Sequence, residues 1–410
     1  MGRQLILGVF TFGLIFVSGA SVTETHTPIA SRWTYNEHLF AIFRDNCGDC
    51  HRAGGIAPMS LVTYQEAYPW AQSIREEVLG LRMPPWQAED GFGDFSNGHA
   101  LSATEMDMIL EWSSGGYPQG PRDLQLETTT ASSDWVLGEP GLELIMPEPF
   151  IVDASTNEVV RYFVLPTTSE ADRFLAGADV MPGAGAIVRD VALYVDTTGT
   201  ARKLDNADVG PGFAETDEFP TNAPVALWSP GQQQVLQQHI AHPMPTAADI
   251  VVRVHYKKTW ITEGESFTDQ SHVGLYFSDA PPTAIQSMLL SSPNTASALT
   301  LNFNHTVGEA VHLVALLPEV AIPAKDVQVV AVKPDGEQVP LLFLREPDTA
   351  WPTRYWFDTP IVLPEGTTIQ VNAVLHPGAE QTPATSLFGA DATAPIRLML
   401  DYAITTPLAD

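Results

Sequence analysis

Apolar residues recur at helical spacing in three stretches of the first third of the chain: Phe40 and Phe43; Trp70, Ile74 and Val78; Met106, Ile109 and Leu110. Each stretch follows a hydroxyl residue with a glutamate three positions on: Thr34 with Glu37, Thr63 with Glu66, Ser102 with Glu105. That is the spacing of a capping box, in which hydroxyl and carboxylate satisfy the first free amides of a helix. Gly80 and the Gly115-Gly116 pair supply stops. The pattern predicts a helical unit over residues 28–122. From 123 to 134 the chain is polar and rich in Thr and Ser, as a linker would be. Beyond it the pattern changes to short β-type runs punctuated by Gly, Pro and Asn: Val159–Leu165, Ile187–Val195, Ile250–Tyr256, Val273–Phe277, Val311–Leu317, Val327–Val332 and Thr368–Leu375. Such runs predict antiparallel sandwiches. The length of the region calls for two, 135–283 and 284–406, with a break near Asp279-Ala280-Pro281-Pro282.

Inside the helical unit stands Cys47-Gly48-Asp49-Cys50-His51, a C-x-x-C-H sequence. Two thiols three positions apart can add to the two vinyl groups of one porphyrin, and the adjacent imidazole can reach the iron, as in c-type haem attachment. A closed zinc site needs four ligands, and the chain has only 2 cysteines. A Cys47–Cys50 disulfide would leave His51 without a role. The reading is one covalent haem c on Cys47 and Cys50, with His51 as an iron ligand. The sixth ligand is expected from Leu81-Arg82-Met83-Pro84-Pro85-Trp86, where Met83 follows a helix end and two prolines fix the backbone. A thioether opposite histidine raises the potential and suits electron transfer. Met59 and His99 are the competing candidates. The fold class expected is multidomain: a small all-α class I-like cytochrome c domain followed by two antiparallel β-sandwich (jelly-roll) domains.

The N-terminus agrees with this chemistry. Arg3, the apolar run Leu5–Val17 and the small residues Ser18, Gly19 and Ala20 read as a secretory signal peptide over 1–20, so the protein is expected to be periplasmic or otherwise exported. No direct membrane span is expected after signal removal. With Lys+Arg 20 against Asp+Glu 49, the formal net charge of −29 disfavours nucleic acid. It suits a basic redox protein, or a membrane-associated complex, as partner.

The order of motifs resembles a family of bacterial proteins in which a c-type cytochrome domain precedes a copper type II, ascorbate-dependent monooxygenase module with the two-domain fold of peptidylglycine α-hydroxylating monooxygenase. The resemblance is carried by Pro58-Met59-Ser60-Leu61, Thr63-Tyr64, Pro69-Trp70-Ala71, Met83-Pro84-Pro85-Trp86, Trp135-Val136-Leu137-Gly138, Pro182-Gly183, Val254-His255-Tyr256, Val273-Gly274-Leu275-Tyr276-Phe277 and Pro334-Asp335-Gly336. It implies one copper on adjacent histidines after the Pro-Gly turn, where this chain has Arg189-Asp190. The third ligand of that copper is matched by His255. The second copper needs His-x-His after a proline, where this chain reads Pro318-Glu319-Val320-Ala321; Met399 lies near the last ligand but out of register. A lone imidazole does not hold a cupric ion, so copper is not expected. Arg189 beside Asp190 reads as a local charge pair, and His239, His242 and His255 as a metal set only if the fold makes them converge.

The favoured function is therefore an exported monohaem electron-transfer protein on a copper-less monooxygenase-like scaffold used for docking or assembly. The alternatives are a structural or accessory subunit of a larger redox complex, and a haem-fed oxygenase with a non-standard metal site.

Overall fold

A computed structural model of the chain describes residues 30–404 apart from 125, 127–134, 220–222, 238, 280–281, 294–298, 349, 379–385 and 390–393. The expected signal peptide, most of the expected linker and the centre of the 279–282 break lie outside the described residues.

The three N-caps fall where the hydroxyl–glutamate pairs put them. Thr34 accepts from the Glu37 amide and starts a π-turn, Tyr35–Leu39, that runs into α1, Phe40–Cys47. Thr63 accepts from the Glu66 amide and starts α2, Tyr64–Ala67; a 3-10 turn, Tyr68–Trp70, leads on to α3, Ala71–Leu79. Ser102 and Glu105 form the full reciprocal box at the start of α4, Ala103–Ser114. These elements close around Tyr35, Leu39, Phe43, Ile74, Val78, Ile109 and Trp112, all buried. Each large apolar side chain buried there contributes roughly 1.5–3 kcal/mol.

The expected all-α class I-like cytochrome c domain is nevertheless not what forms. The described residues are 39% strand and 14% helix, and their helices are short. Much of the segment between α3 and α4 also leaves the helical core for the second β region. Ala88 bridges Leu344 and Phe95 bridges Phe357. Trp86 and Phe95 pack against Tyr355, and buried Asn97 donates to the Arg354 carbonyl (2.7 Å) while accepting from the Trp356 amide (3.1 Å). The reason is local poverty of partners. A few short helices cannot cover Trp86, Phe92 and Phe95 as well as their own core, so these aromatics bury elsewhere.

The β region divides into two halves. The first holds β1 (Leu142–Ile145), β2 (Phe150–Val152), β3 (Glu158–Pro166), β4 (Arg173–Met181), β5 (Val188–Asp196), helix α5 (Thr200–Ala207), β6 (Phe213–Ala214), β7 (Ala226–Trp228), β8 (Ile240–Met244), β9 (Asp249–Lys257), β10 (Phe267–Asp269) and β11 (His272–Phe277). The second holds β12 (Thr283–Ser291), β13 (Thr300–Thr306), β14 (Val311–Val320), β15 (Ala324–Val332), β16 (Gln338–Arg345), β17 (Tyr355–Leu363), β18 (Thr368–Leu375) and β19 (Ile396–Ile404). All seven runs expected as strands fall on strands, the second entering its strand at Val188 rather than Ile187.

The halves are not two separate jelly-rolls. One eight-stranded sheet, β1-β11-β4-β8-β12-β19-β14-β17, runs through both, joined where β8 and β12 pair in parallel at Ile240↔Thr283 and Ala241↔Ala284. The five-stranded sheet β6-β3-β9-β5-β7 buries one face, with Ile250, Val252, Val254 and Tyr256, against the first part of that long sheet. Its other face, with Tyr162, Tyr194 and Val251, packs on Leu317 and Met399 of the second half. The sheet β13-β18-β15-β16 covers the remaining part with Val329, Leu342, Val371 and Leu400 at the core. Strand β9 is therefore buried on both faces, which is why its sequence carries no clean alternation of apolar and polar residues.

Candidate cofactor site

Cys47 closes α1 and the chain keeps turning: the Cys50 and His51 amides both donate to the Cys47 carbonyl, at 3.2 and 2.8 Å. Residues three and four apart on such a turn share a face. Cys47, Cys50 and His51 accordingly line one cavity of about 450 Å³, together with the apolar side chains Phe43, Ile56, Leu61, Ile74, Val78 and Ile109. That volume lies within the ordinary range of small-molecule and cofactor sites. Met83, Met59 and His99 line the same cavity, so every residue singled out for iron or haem comes together in one place.

Burial sets the protonation of all three donors. Burial pushes the thiols of Cys47 and Cys50 up to about 12, with the neighbouring thiol next in effect on Cys47 and Asp49 next on Cys50, so both stay protonated at neutral pH. A low-pKa redox dithiol would show the opposite. Burial also lowers the His51 pKa, which keeps the imidazole neutral. Its Nδ1 lies 3.1 Å from the Met59 carbonyl oxygen. A ring that donates from Nδ1 to a carbonyl presents the Nε2 lone pair, as metal-ligating histidines do. The same contact commits the Met59 backbone to His51, leaving Met83 and His99 as the better candidates for a second iron ligand. His99 has a long contact, 3.4 Å, from Nε2 to the Asn46 carbonyl oxygen.

The remaining wall comes from both β halves: Arg189, Pro230, Gly231 and Thr259 from the first, Asp348 and Trp351 from the second. Gly231 has φ +74°, and a Cβ built there would stand 3.3 Å from Cys50 Sγ. Strand β5 carries a bulge between Val188 and Asp190, and Arg189 is the extra residue. Bulges re-aim side chains. Arg189 therefore does not pair with Asp190 as expected: its guanidinium carbon sits 3.5 Å from the Trp351 ring centroid, and its Nε donates to the Ala350 carbonyl at 3.2 Å.

Asp190 turns to the other side of the wall, into a cleft of about 110 Å³ that shares Asp348 and Trp351 with the larger cavity. There it accepts from Arg253 Nη1 (2.7 Å) and meets His255 Nδ1 (2.7 Å), while His255 Nε2 meets Glu158 (2.8 Å). Burial alone would lower the His255 pKa; the Asp190 and Glu158 carboxylates outweigh it and the net shift is upward. The hydrogen bond from His255 is the main reason the Glu158 carboxyl is held down to about 2. Glu319, at the second expected copper position, is ion-paired to Arg397 at 2.6 Å. Among the described residues no group of three or more His, Cys, Asp and Glu side chains is gathered for a metal ion. His239, His242 and His255 do not converge.

His242 is instead buried in the long sheet, with an Nε2 that has no partner among the described residues. Burial first, and the charge of Arg354 second, lower its pKa to about 3. A folded-state pKa below the ordinary 6.5 means that the unfolded chain binds the proton more readily. Stability from this group is complete above about pH 6.5 and falls by about 1 kcal/mol per pH unit as the solution is acidified toward the folded value. His242→Gln should flatten that slope in urea titrations at pH 7, 5 and 4; an unchanged slope would refute the assignment.

No family model matches the chain, and no curated protein matches it. Among solved structures, the major capsid protein P2 of bacteriophage PM2 is similar at 10% identity with a TM-score of 0.27, covering 66% of this chain and 99% of that one. The PBCV-1 virus capsid is similar at 8% identity with a TM-score of 0.22, covering 64% and 94%. Likeness at these scores supports no argument about fold or function.

Proposed function

We propose that this chain is an exported electron-transfer protein that holds one covalent haem in the cavity lined by Cys47, Cys50 and His51, on a scaffold resembling a copper monooxygenase without its copper sites. The observation that supports it is the convergence of the two thiols, a neutral imidazole and a thioether on one apolar cavity. The two thiols would anchor the porphyrin, and His51 Nε2 and Met83 would hold its iron. When bound, the haem supplies a one-electron couple at its iron. The apolar lining excludes water from it, and the Met59 carbonyl orients the imidazole.

The test is expression of the full chain with its own leader in a host that matures c-type cytochromes. Haem staining should persist on the denatured polypeptide and vanish in the Cys47→Ser/Cys50→Ser double variant. Absence of covalent haem in the unaltered chain would sink the reading. Metal analysis of the same preparation addresses the rest of it. Asp190, His255 and Glu319 are engaged with Arg253, Glu158 and Arg397, so iron without tightly held copper is the expected composition. Near-stoichiometric copper would favour an oxygenase instead.

A further inference from the structure

We propose that Arg189, stacked on Trp351, receives a propionate of the haem, so that the β halves complete a site which the helical segment only begins. The inference rests on the haem reading of the cavity. A porphyrin fixed through its vinyl groups still carries two carboxylates, and an ionised carboxylate placed against an apolar wall needs a cation or strong donors. Arg189 is the one Lys or Arg among the described lining residues; the other charged groups of the lining, Asp49, Glu77 and Asp348, are acidic.

Arg189 is also built for the task. The β5 bulge turns it out of the sheet, Trp351 supports one face of its guanidinium, and the Ala350 carbonyl engages Nε. Among the described residues no carboxylate lies within ion-pair distance of it; Asp348 and Asp190 act on it from farther off, and burial outweighs them and lowers its pKa, so a closer carboxylate would be favoured. The Nη donors of a planar guanidinium held this way are suited to a bidentate carboxylate contact, which lysine cannot reproduce.

The experiment is a double-mutant cycle between Arg189 and the haem in the full chain. Arg189→Gln is made in the haem-bearing protein and in the Cys47→Ser/Cys50→Ser background. Midpoint potential is read by spectroelectrochemistry and unfolding by near-ultraviolet circular dichroism. The expected result is wild-type covalent haem content with a lowered midpoint, because an uncompensated propionate favours the ferric state. The loss of melting temperature should be clear with haem and small or absent without it. Arg189→Lys should restore most of the midpoint. If Arg189→Gln does not fold, Trp351→Phe, which weakens the stack, carries the same cycle. An unmoved midpoint with equal losses in both backgrounds would overturn this inference and leave the haem reading standing. A wild-type chain without haem would remove both.

Discussion

Arg253→Ala should lower the melting temperature of the β region by on the order of 10 °C, the largest loss expected from any single change away from the cofactor cavity. Arg253 is fully buried on β9, and its Nη1 donates to Asp190 at 2.7 Å. Asp190 is almost as deeply buried and is held ionised: burial would raise its pKa, but Arg253 and His255 together bring it below the ordinary value. Removing the guanidinium leaves that carboxylate with His255 as its partner, in a place with little water. Breaking one partner of a buried pair costs roughly 3–5 kcal/mol, whereas replacing both by apolar residues is often near neutral. Arg253→Met combined with Asp190→Leu should therefore recover much of the loss. The discriminating result is the pair of melts. If Arg253→Ala unfolds within a degree or two of wild type, the pair does not stabilise the sheet that carries it.

These charges also mark the limit of what could be read from the chain. C-x-x-C-H, the three hydroxyl–glutamate caps and the seven β-type runs are local patterns, each set by neighbours a few positions away. The structure puts the caps at helix starts, the runs on strands, and both cysteines and His51 on one cavity. The rest depended on contacts between distant segments. Nothing in the sequence near Trp86 or Phe95 says that they bury against Tyr355 and Phe357 of the second half, yet that burial is why the helical region is not a separate all-α domain. Strand β9 reads as an apolar run broken by Arg253 and His255, and only the packing of a second sheet over it explains why both are buried. One extra residue in β5 sends Arg189 toward the cavity of Cys47, Cys50 and His51, and Asp190 into the cleft. A bulge has no reliable sequence mark, so the two adjacent residues read as a charge pair. The parallel β8–β12 junction, which fuses the halves into one sheet, is equally silent.

His51→Gly should leave the haem attached through both thioethers while abolishing its low-spin spectrum, and imidazole added to the buffer should restore it. The proposed reading gives the thiols and the imidazole separable roles: Cys47 and Cys50 would fix the porphyrin, while His51, neutral by burial and oriented by the Met59 carbonyl, would supply a ligand to the iron. A structural histidine would behave differently. Its loss would lower stability without changing spin state, and imidazole would rescue nothing. The opposite axial position is resolved by two further variants. Met83→Ala should remove the charge-transfer signature of thioether ligation and lower the midpoint potential, since a thioether favours the ferrous state relative to a nitrogen donor or water. His99→Ala should leave both unchanged, because His99 is turned toward the Asn46 carbonyl. The reverse pattern would transfer the sixth position to His99 and make the protein a bis-histidine cytochrome of lower potential. It would also mean that Met83, although it lines the cavity, serves only to fill it.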